Sequence, residues 1–202
     1  MAEHYLDNSA TTVTSDAAAK KALFMMTNEY GNPSSLHKKG LSAELEIEKA
    51  REIVASSLAV DSSDVYFTSG STESNNTVIF GVAEAKKRTG KKVVTTAIEH
   101  SSTMEACKKL ENDGYDVTYI APDENGEITP FAFYDAVDSD TVLVCAMAVN
   151  NETGYVLDIE RIAKMVKRKN PDVHFHCDGV QAYGKMALKP KKWGVDSMCV
   201  SS

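Results

Sequence analysis

The 202-residue sequence is short of cysteine, of basic surplus and of long apolar runs, and each shortage closes off a class of protein. Its four cysteines (Cys107, Cys145, Cys177 and Cys199) are scattered, form no CxxC pair and mostly lie in apolar stretches. That usage argues against a disulfide framework or a zinc site, and for buried free thiols in a reducing cytoplasm. Lys and Arg total 22 against 29 Asp and Glu, a formal net charge of −7. No basic excess remains to attract a nucleic-acid backbone or an anionic membrane surface. The longest apolar run, Thr141–Val149, is too short to span a bilayer as a helix. The opening residues, Met1 to Asp7, lack the basic-then-apolar order of a secretory signal. Internal repeats, low-complexity tracts and Pro/Gly linkers are missing too. What is left is a soluble cytoplasmic globular protein with ample length for a core, of one domain or slightly more at about 150 residues per domain.

Within that frame the chain alternates strand-like runs with helical periodicity. Ala43, Ile47, Ala50, Val54 and Leu58 fall on one face of an amphipathic helix. Val65-Tyr66-Phe67 reads as a short strand, followed by a helix from about Glu73 to Lys87. Val93–Ile98 is the next strand, and Ser101–Asn112 a helix with Met104, Cys107 and Leu110 inward. Val117–Ala121 is a strand closed by the turn-forming Pro122–Gly126. Thr129-Pro130 has the form of an N-cap with proline at the first helical position. Val142–Val149, Val173–Cys177 and Ser197–Val200 are further strands, with a helix through Ile159, Ile162, Ala163 and Val166 that Asn170-Pro171 stops. Apolar strands separated by helices predict an α/β fold: a mostly parallel sheet with helices on both faces.

In such a sheet, ligands bind at the carboxyl ends of the strands. Five polar clusters fall at expected strand ends: Thr68–Glu73, Glu99-His100, Asn150-Asn151-Glu152, Asp178–Gln181 and Ser201-Ser202. Thr68-Ser69-Gly70-Ser71-Thr72 suits a phosphate ester at a helix N-terminus, though a plain hydroxyl-rich cap fits as well. His100 suits ring stacking or proton transfer, or a cap. Asn150-Asn151 is a turn or a pair of ligand donors. Strand alternation puts His174 and His176 on one face, where strand packing accounts for them better than a metal does. Asp178 is placed to pair with a cationic ring nitrogen, with Gln181 on the ensuing turn within reach of the same ligand.

These clusters, in this order, resemble the class-V aminotransferase group of pyridoxal-phosphate enzymes, and within it the cysteine desulfurases. The stretches that carry the resemblance are Tyr5–Thr12, Gly31-Asn32-Pro33-Ser34-Ser35 with His37, Phe67–Asn76, Glu99-His100, Asn150–Gly154 and Asp178–Ala182. The resemblance runs from Tyr5 through the whole chain. It implies the large domain of the fold type I enzymes over residues 16–202, preceded by an N-terminal arm over 1–15. Pyridoxal 5'-phosphate is the implied cofactor. Ser71, Thr72 and Ser201 would hold its phosphate, His100 would stack on its ring and assist proton transfer, and Asp178 would pair with its ring nitrogen. Asn151 and Gln181 would lie near the substrate and the phenolic oxygen. No metal is implied.

The resemblance also implies absences. The Schiff-base lysine and its preceding histidine follow Ser201-Ser202 in the family, and the persulfide cysteine and small C-terminal domain lie further on. A strand inserted between the first and last strands of the sheet would be missing too, exposing two edges. The parent that the resemblance implies is a cysteine desulfurase acting on L-cysteine, with no nucleic-acid partner expected from its composition, of which this chain is an N-terminal fragment inactive alone. Its sulfur would serve iron–sulfur cluster assembly or tRNA thiolation through an acceptor or scaffold protein, and its subunits would pair as a homodimer. Alternatives are a selenocysteine lyase or aminotransferase of the same class, or a non-catalytic truncated paralogue that acts as a dimerisation partner.

Overall fold

The computed structural model describes residues 4–201, so Ser202 of the last polar cluster lies outside the described residues. Two compact units are distinguished, Met1–Ser57 with Asp61–Tyr66, and Leu58–Val60 with Phe67–Ser202.

The first unit carries α1 (Asp16–Thr27) and most of α2 (Lys38–Leu58). Ser15 caps α1 by accepting the Ala18 N–H, as a β-region serine ahead of a helix does. On α2, Ala43, Ala55 and Leu58 are buried and Ile47 and Val54 half-buried, whereas Ala50, expected on the inner face, is exposed. The buried stripe runs through Ala55 because the helical repeat of 3.6 residues carries the face past Ala50. A 3-10 turn, Ser62–Asp64, follows.

Val65-Tyr66-Phe67 is not a strand. Val65 has extended dihedrals, but Tyr66 and Phe67 are exposed, and the segment joins none of the described ladders. Apolar, β-prone residues set the backbone conformation; a strand also needs a second strand to pair with, and none of the ladders among the described residues includes this segment. Among the described residues the sheet ends at Ser197–Cys199 on one side.

The second unit holds that sheet. β1 (Lys92–Thr96), β2 (Asp116–Ile120), β3 (Thr141–Met147), β4 (His174–Asp178) and β5 (Ser197–Cys199) pair in the order β2-β1-β3-β4-β5, every pair parallel. β3 is buried at all its residues, as a central strand covered on both faces must be. The connecting helices are α3 (Ser71–Lys86), α4 (Ser101–Asn112), α5 (Pro130–Ala136), α6 (Ile159–Lys169) and α7 (Pro190–Trp193). The chain steps one way from β1 to β2 and the other way from β2 onward. With right-handed crossovers, that reversal sends α4 to one face and α5, α6 and α7 to the opposite one. The packing agrees: α3 lies against α4, α5 against α6, and α6 against α7. Ile79 and Ala83 of α3 meet Ala106, Cys107 and Leu110 of α4 over Val93, Leu143 and Cys145 in one core.

Helix ends follow the residues that mark them. Thr129 caps α5 through the Ala132 N–H with Pro130 in the first turn, and Asn170 closes α6 ahead of Pro171. All four cysteines are buried and free.

Candidate functional site

The order of travel reverses between β1 and β3, and their carboxyl ends flank the crevice where an open α/β sheet receives ligands. Four of the five polar clusters leave strand ends on this edge. The fifth, Thr68–Glu73, does not, because no strand precedes it among the described residues; it opens α3 instead.

That opening is built from hydroxyls in an unexpected way. Gly70 is the N-cap residue and offers no side chain to the helix. The nearby hydroxyls bond elsewhere. Glu73 Oε2 accepts both the backbone N–H and the hydroxyl of Ser69 at 2.6 Å, and Thr68 Oγ1 meets Ser74 Oγ at 2.8 Å. The Ser69 hydroxyl, then its N–H, hold the Glu73 carboxyl below its ordinary pKa. Ser71 and Thr72 form the first turn of α3, whose N–H groups and dipole suit an anion.

Asp178 is the last residue of β4 and is buried. Its Oδ1 accepts the Val180 N–H at 3.0 Å and its Oδ2 accepts the Asn75 amide at 2.9 Å. Asn75 lies one turn beyond Ser71 on α3 and is fully buried. The same amide nitrogen donates to Ser102 Oγ at 2.9 Å, and Ser102 Oγ is 2.9 Å from His100 Nδ1. His100 is the N-cap of α4: its Nδ1 also accepts the Ser102 N–H at 3.2 Å. An accepting Nδ1 leaves Nε2 as the protonated ring nitrogen. Three hydrogen bonds thus join Asp178 to His100 through Asn75 and Ser102, and join both to the helix that Ser71 and Thr72 begin.

Asn151, Gln181 and Ser201 follow β3, β4 and β5 respectively. Met147, Asp178 and Cys199 stand in register across these three strands, so their following loops leave one edge side by side. All three residues are half-buried. Gln181 Oε1 accepts the Lys185 ammonium at 3.0 Å. The neighbouring Asn150 is occupied with the turn. Its amide donates to Ile98 O at 2.8 Å, and its Oδ1 accepts the N–H groups of Glu152 and Thr153. Gly179 permits the turn after Asp178 to lie close to β5: a Cβ there would stand 3.1 Å from Cys199 O, whose oxygen accepts the Gly179 N–H at 2.8 Å.

His174 and His176 do share a face, and what they share on it is Ser197. Its Oγ lies 2.8 Å from His174 Nε2 and 2.9 Å from His176 Nδ1. The other nitrogen of His176 is 2.8 Å from Asn75 Oδ1. Burial pushes the His176 pKa down to about 4, Asp178 opposing. Asn75 is the residue that sequence reasoning missed as a site member. The available signal was an amide in line with Ile79 and Ala83 on the apolar stripe of α3.

The fold and site together define an α/β enzyme scaffold that presents an acid, an imidazole and an uncapped helix start at one sheet edge. Residues 4–202 match the aminotransferase class-V family, and the chain belongs to that family, whose members depend on pyridoxal phosphate. It is 44% identical over 181 residues to a NifS/IcsS protein homologue of Lactobacillus delbrueckii subsp. bulgaricus, covering 90% of this chain and 47% of that one. To the cysteine desulfurase IscS of Methanosarcina thermophila it is 37% identical, covering 98% and 48%. Among solved structures, a NifS-like protein superposes with a TM-score of 0.93 at 38% identity, over 96% of this chain and 53% of that chain. A structure described as SspA in complex with cysteine superposes at 0.92 and 31% identity, over 98% and 56%. The chain spans about half the length of these relatives. Among the described residues no helix is long and apolar enough to cross a membrane.

Proposed function

We propose that this chain is the N-terminal portion of a pyridoxal-phosphate-dependent cysteine desulfurase. The single observation that carries the proposal is the hydrogen-bonded link from Asp178 through Asn75 and Ser102 to His100, beside the uncapped start of α3.

The residues fit the cofactor by the chemistry of their donors and acceptors. A phosphate needs N–H and hydroxyl donors, which Ser71, Thr72 and Ser201 supply. A ring N–H needs an acceptor, and Asp178 is a buried carboxylate already held in place at both oxygens. A planar ring needs a flat neighbour, and His100 is fixed through Nδ1 with Nε2 left for proton transfer. Asn151 and Gln181 offer amides to the phenolic oxygen and the substrate. When bound, the cofactor serves as the electron sink that lets a carbon–sulfur bond break. Residues 16–202 would act as the cofactor-binding domain and 1–15 as an arm.

In the parent enzyme, L-cysteine and an enzyme thiol yield L-alanine and an enzyme persulfide. A cytoplasmic homodimer would pass that sulfur to an acceptor or scaffold protein. The lysine and thiol that complete the chemistry would come from beyond these residues.

Titrating the purified chain with pyridoxal phosphate tests the first part. Non-covalent binding is expected, weakened at least tenfold in Asp178→Ala, with no lysine of this chain labelled after borohydride reduction. A borohydride-fixed lysine, or equal affinity in the variant, overturns the reading. Joined in one reading frame to the missing half, the protein should release alanine from L-cysteine.

A further inference from the structure

The buried polar chain behind Asp178 has a direction, and one amide sets it. A carboxylate only accepts, so the Asn75 group facing Asp178 Oδ2 must be its NH2, and Asn75 Oδ1 must be the atom facing His176. An amide oxygen only accepts, so His176 carries its proton on Nε2. Its Nδ1 is then the acceptor, and the Ser197 hydroxyl donates to it. With that proton committed, Ser197 Oγ accepts from His174 Nε2–H. Every donor from His174 inward therefore points toward Asp178. The second Asn75 amide proton goes to Ser102 Oγ, whose own proton turns to His100 Nδ1. Asn75 and His176 are 0% and 1% exposed, so no water shares these bonds without displacing protein.

Resting on the cofactor reading above, we infer that Asn75 and His176 are positioning residues: His176, as a neutral Nε2–H tautomer, locks the Asn75 amide so that its NH2 holds the Asp178 carboxylate toward the ligand. Neither touches the cofactor. Without His176 the amide is free to turn its oxygen on Asp178, where two acceptors would face each other. An imidazole costs far less to bury neutral than charged, which suits a role as a fixed donor.

The tautomer is observable without any cofactor. In the 15N-histidine-labelled chain, long-range proton–nitrogen correlation is expected to show His176 as the neutral Nε2–H form. In Asn75→Ala the acceptor at Nε2 is gone, and His176 should switch to Nδ1–H, donating to Ser197. Asn75→Asp, whose carboxyl would share one proton with Asp178, restores an acceptor and should restore Nε2–H. Ser102→Ala breaks only the branch to His100 and should leave His176 unchanged, giving a readout if Asn75→Ala does not fold. His176 found as Nδ1–H in the unsubstituted chain overturns the inference, as does an Nε2–H signal that persists in Asn75→Ala. A separate arm compares pyridoxal phosphate affinity of Asn75→Ala in the Asp178 and Asp178→Ala backgrounds. A loss of about tenfold in the first and none in the second is expected; equal losses mean the amide acts on folding alone. Failure of the unsubstituted chain to bind the cofactor would count against the function proposed, while the tautomer experiment still decides the positioning.

Discussion

Glu99 Oε1 accepts the backbone N–H of Met147 at 2.9 Å, so a single buried carboxyl ties the end of β1 to the end of β3 across the point where strand order reverses. The Thr96 hydroxyl donates to the same oxygen at 2.7 Å, while Oε2 is buried with no partner. Burial pushes the Glu99 pKa from its ordinary 4.5 up to about 7, against the lowering effect of Thr96 and Met147. The folded chain therefore holds a proton here that the unfolded chain has released. Stability from this group is present in full below about pH 4.5 and is lost as pH rises through about 7. The loss is ~3 kcal/mol. Glu99→Gln keeps a neutral group of the same shape and should abolish that loss. Urea unfolding at a series of pH values measures it, and an unchanged profile in the variant would count against a protonated Glu99.

His176 titrates in the opposite sense over nearly the same range. Its pKa falls from 6.5 to about 4 on folding, so its contribution is present above about pH 6.5 and lost as pH falls through about 4. Between pH 4.5 and 6.5 the two groups bind compensating protons, and their pH slopes cancel. Glu99→Gln should leave a rise of about 1.4 kcal/mol per pH unit across that window, and His176→Gln a fall of similar size. If the two variants sloped in the same direction, the opposed burial of these groups would be refuted.

The thiols of the second unit are built not to react. Cys145 is pushed well above the ordinary thiol pKa, first by its hydrogen bond with Cys107 and then by burial. Burial raises Cys177 and Cys199 likewise. A thiolate is the nucleophile, so none of these three is poised for sulfur transfer. The native chain should resist an aromatic disulfide reagent for hours and release four equivalents at once in denaturant. Rapid labelling of any one of them under native conditions would refute this account of their burial.

The sheet and its helices were legible because burial on both faces leaves a local mark, the apolar run of Thr141–Met147 being the plainest. Val65–Phe67 carried the same mark and misled, since hydropathy reports a tendency to extend and says nothing of a partner strand. Candidate site residues were legible where polar groups follow an apolar strand, as at Asp178 on the end of β4 and at His100 between β1 and α4. Asn75 was hidden for the converse reason: its work is done at residues far along the chain, Ser102, His176 and Asp178, and within its own helix it reads as one amide among several. The pair Asn150-Asn151 looked uniform, yet Asn150 is spent on the turn, which only the geometry of three accepted donors reveals.

Two glycines give opposite expectations from the same substitution. Gly90 is buried just ahead of β1, and a Cβ there would sit 2.2 Å from the Asp140 carbonyl oxygen. That carbonyl accepts the Lys92 N–H at 3.1 Å, and the Asp140 carboxylate accepts the Lys91 N–H at 3.2 Å, so the backbone before β3 is pinned and cannot retreat. Gly90→Ala should cost about 2 kcal/mol or more, through strain where β1 and β3 begin. Gly81 is exposed within α3 with nothing within 4 Å of a Cβ. Gly81→Ala should stabilise by about 0.5–1 kcal/mol, because alanine loses less backbone entropy in a helix. Denaturant midpoints at constant slope distinguish the two. A Gly90→Ala chain as stable as the unsubstituted one would mean that the approach of Gly90 to Asp140 is looser than 2.2 Å from a Cβ implies.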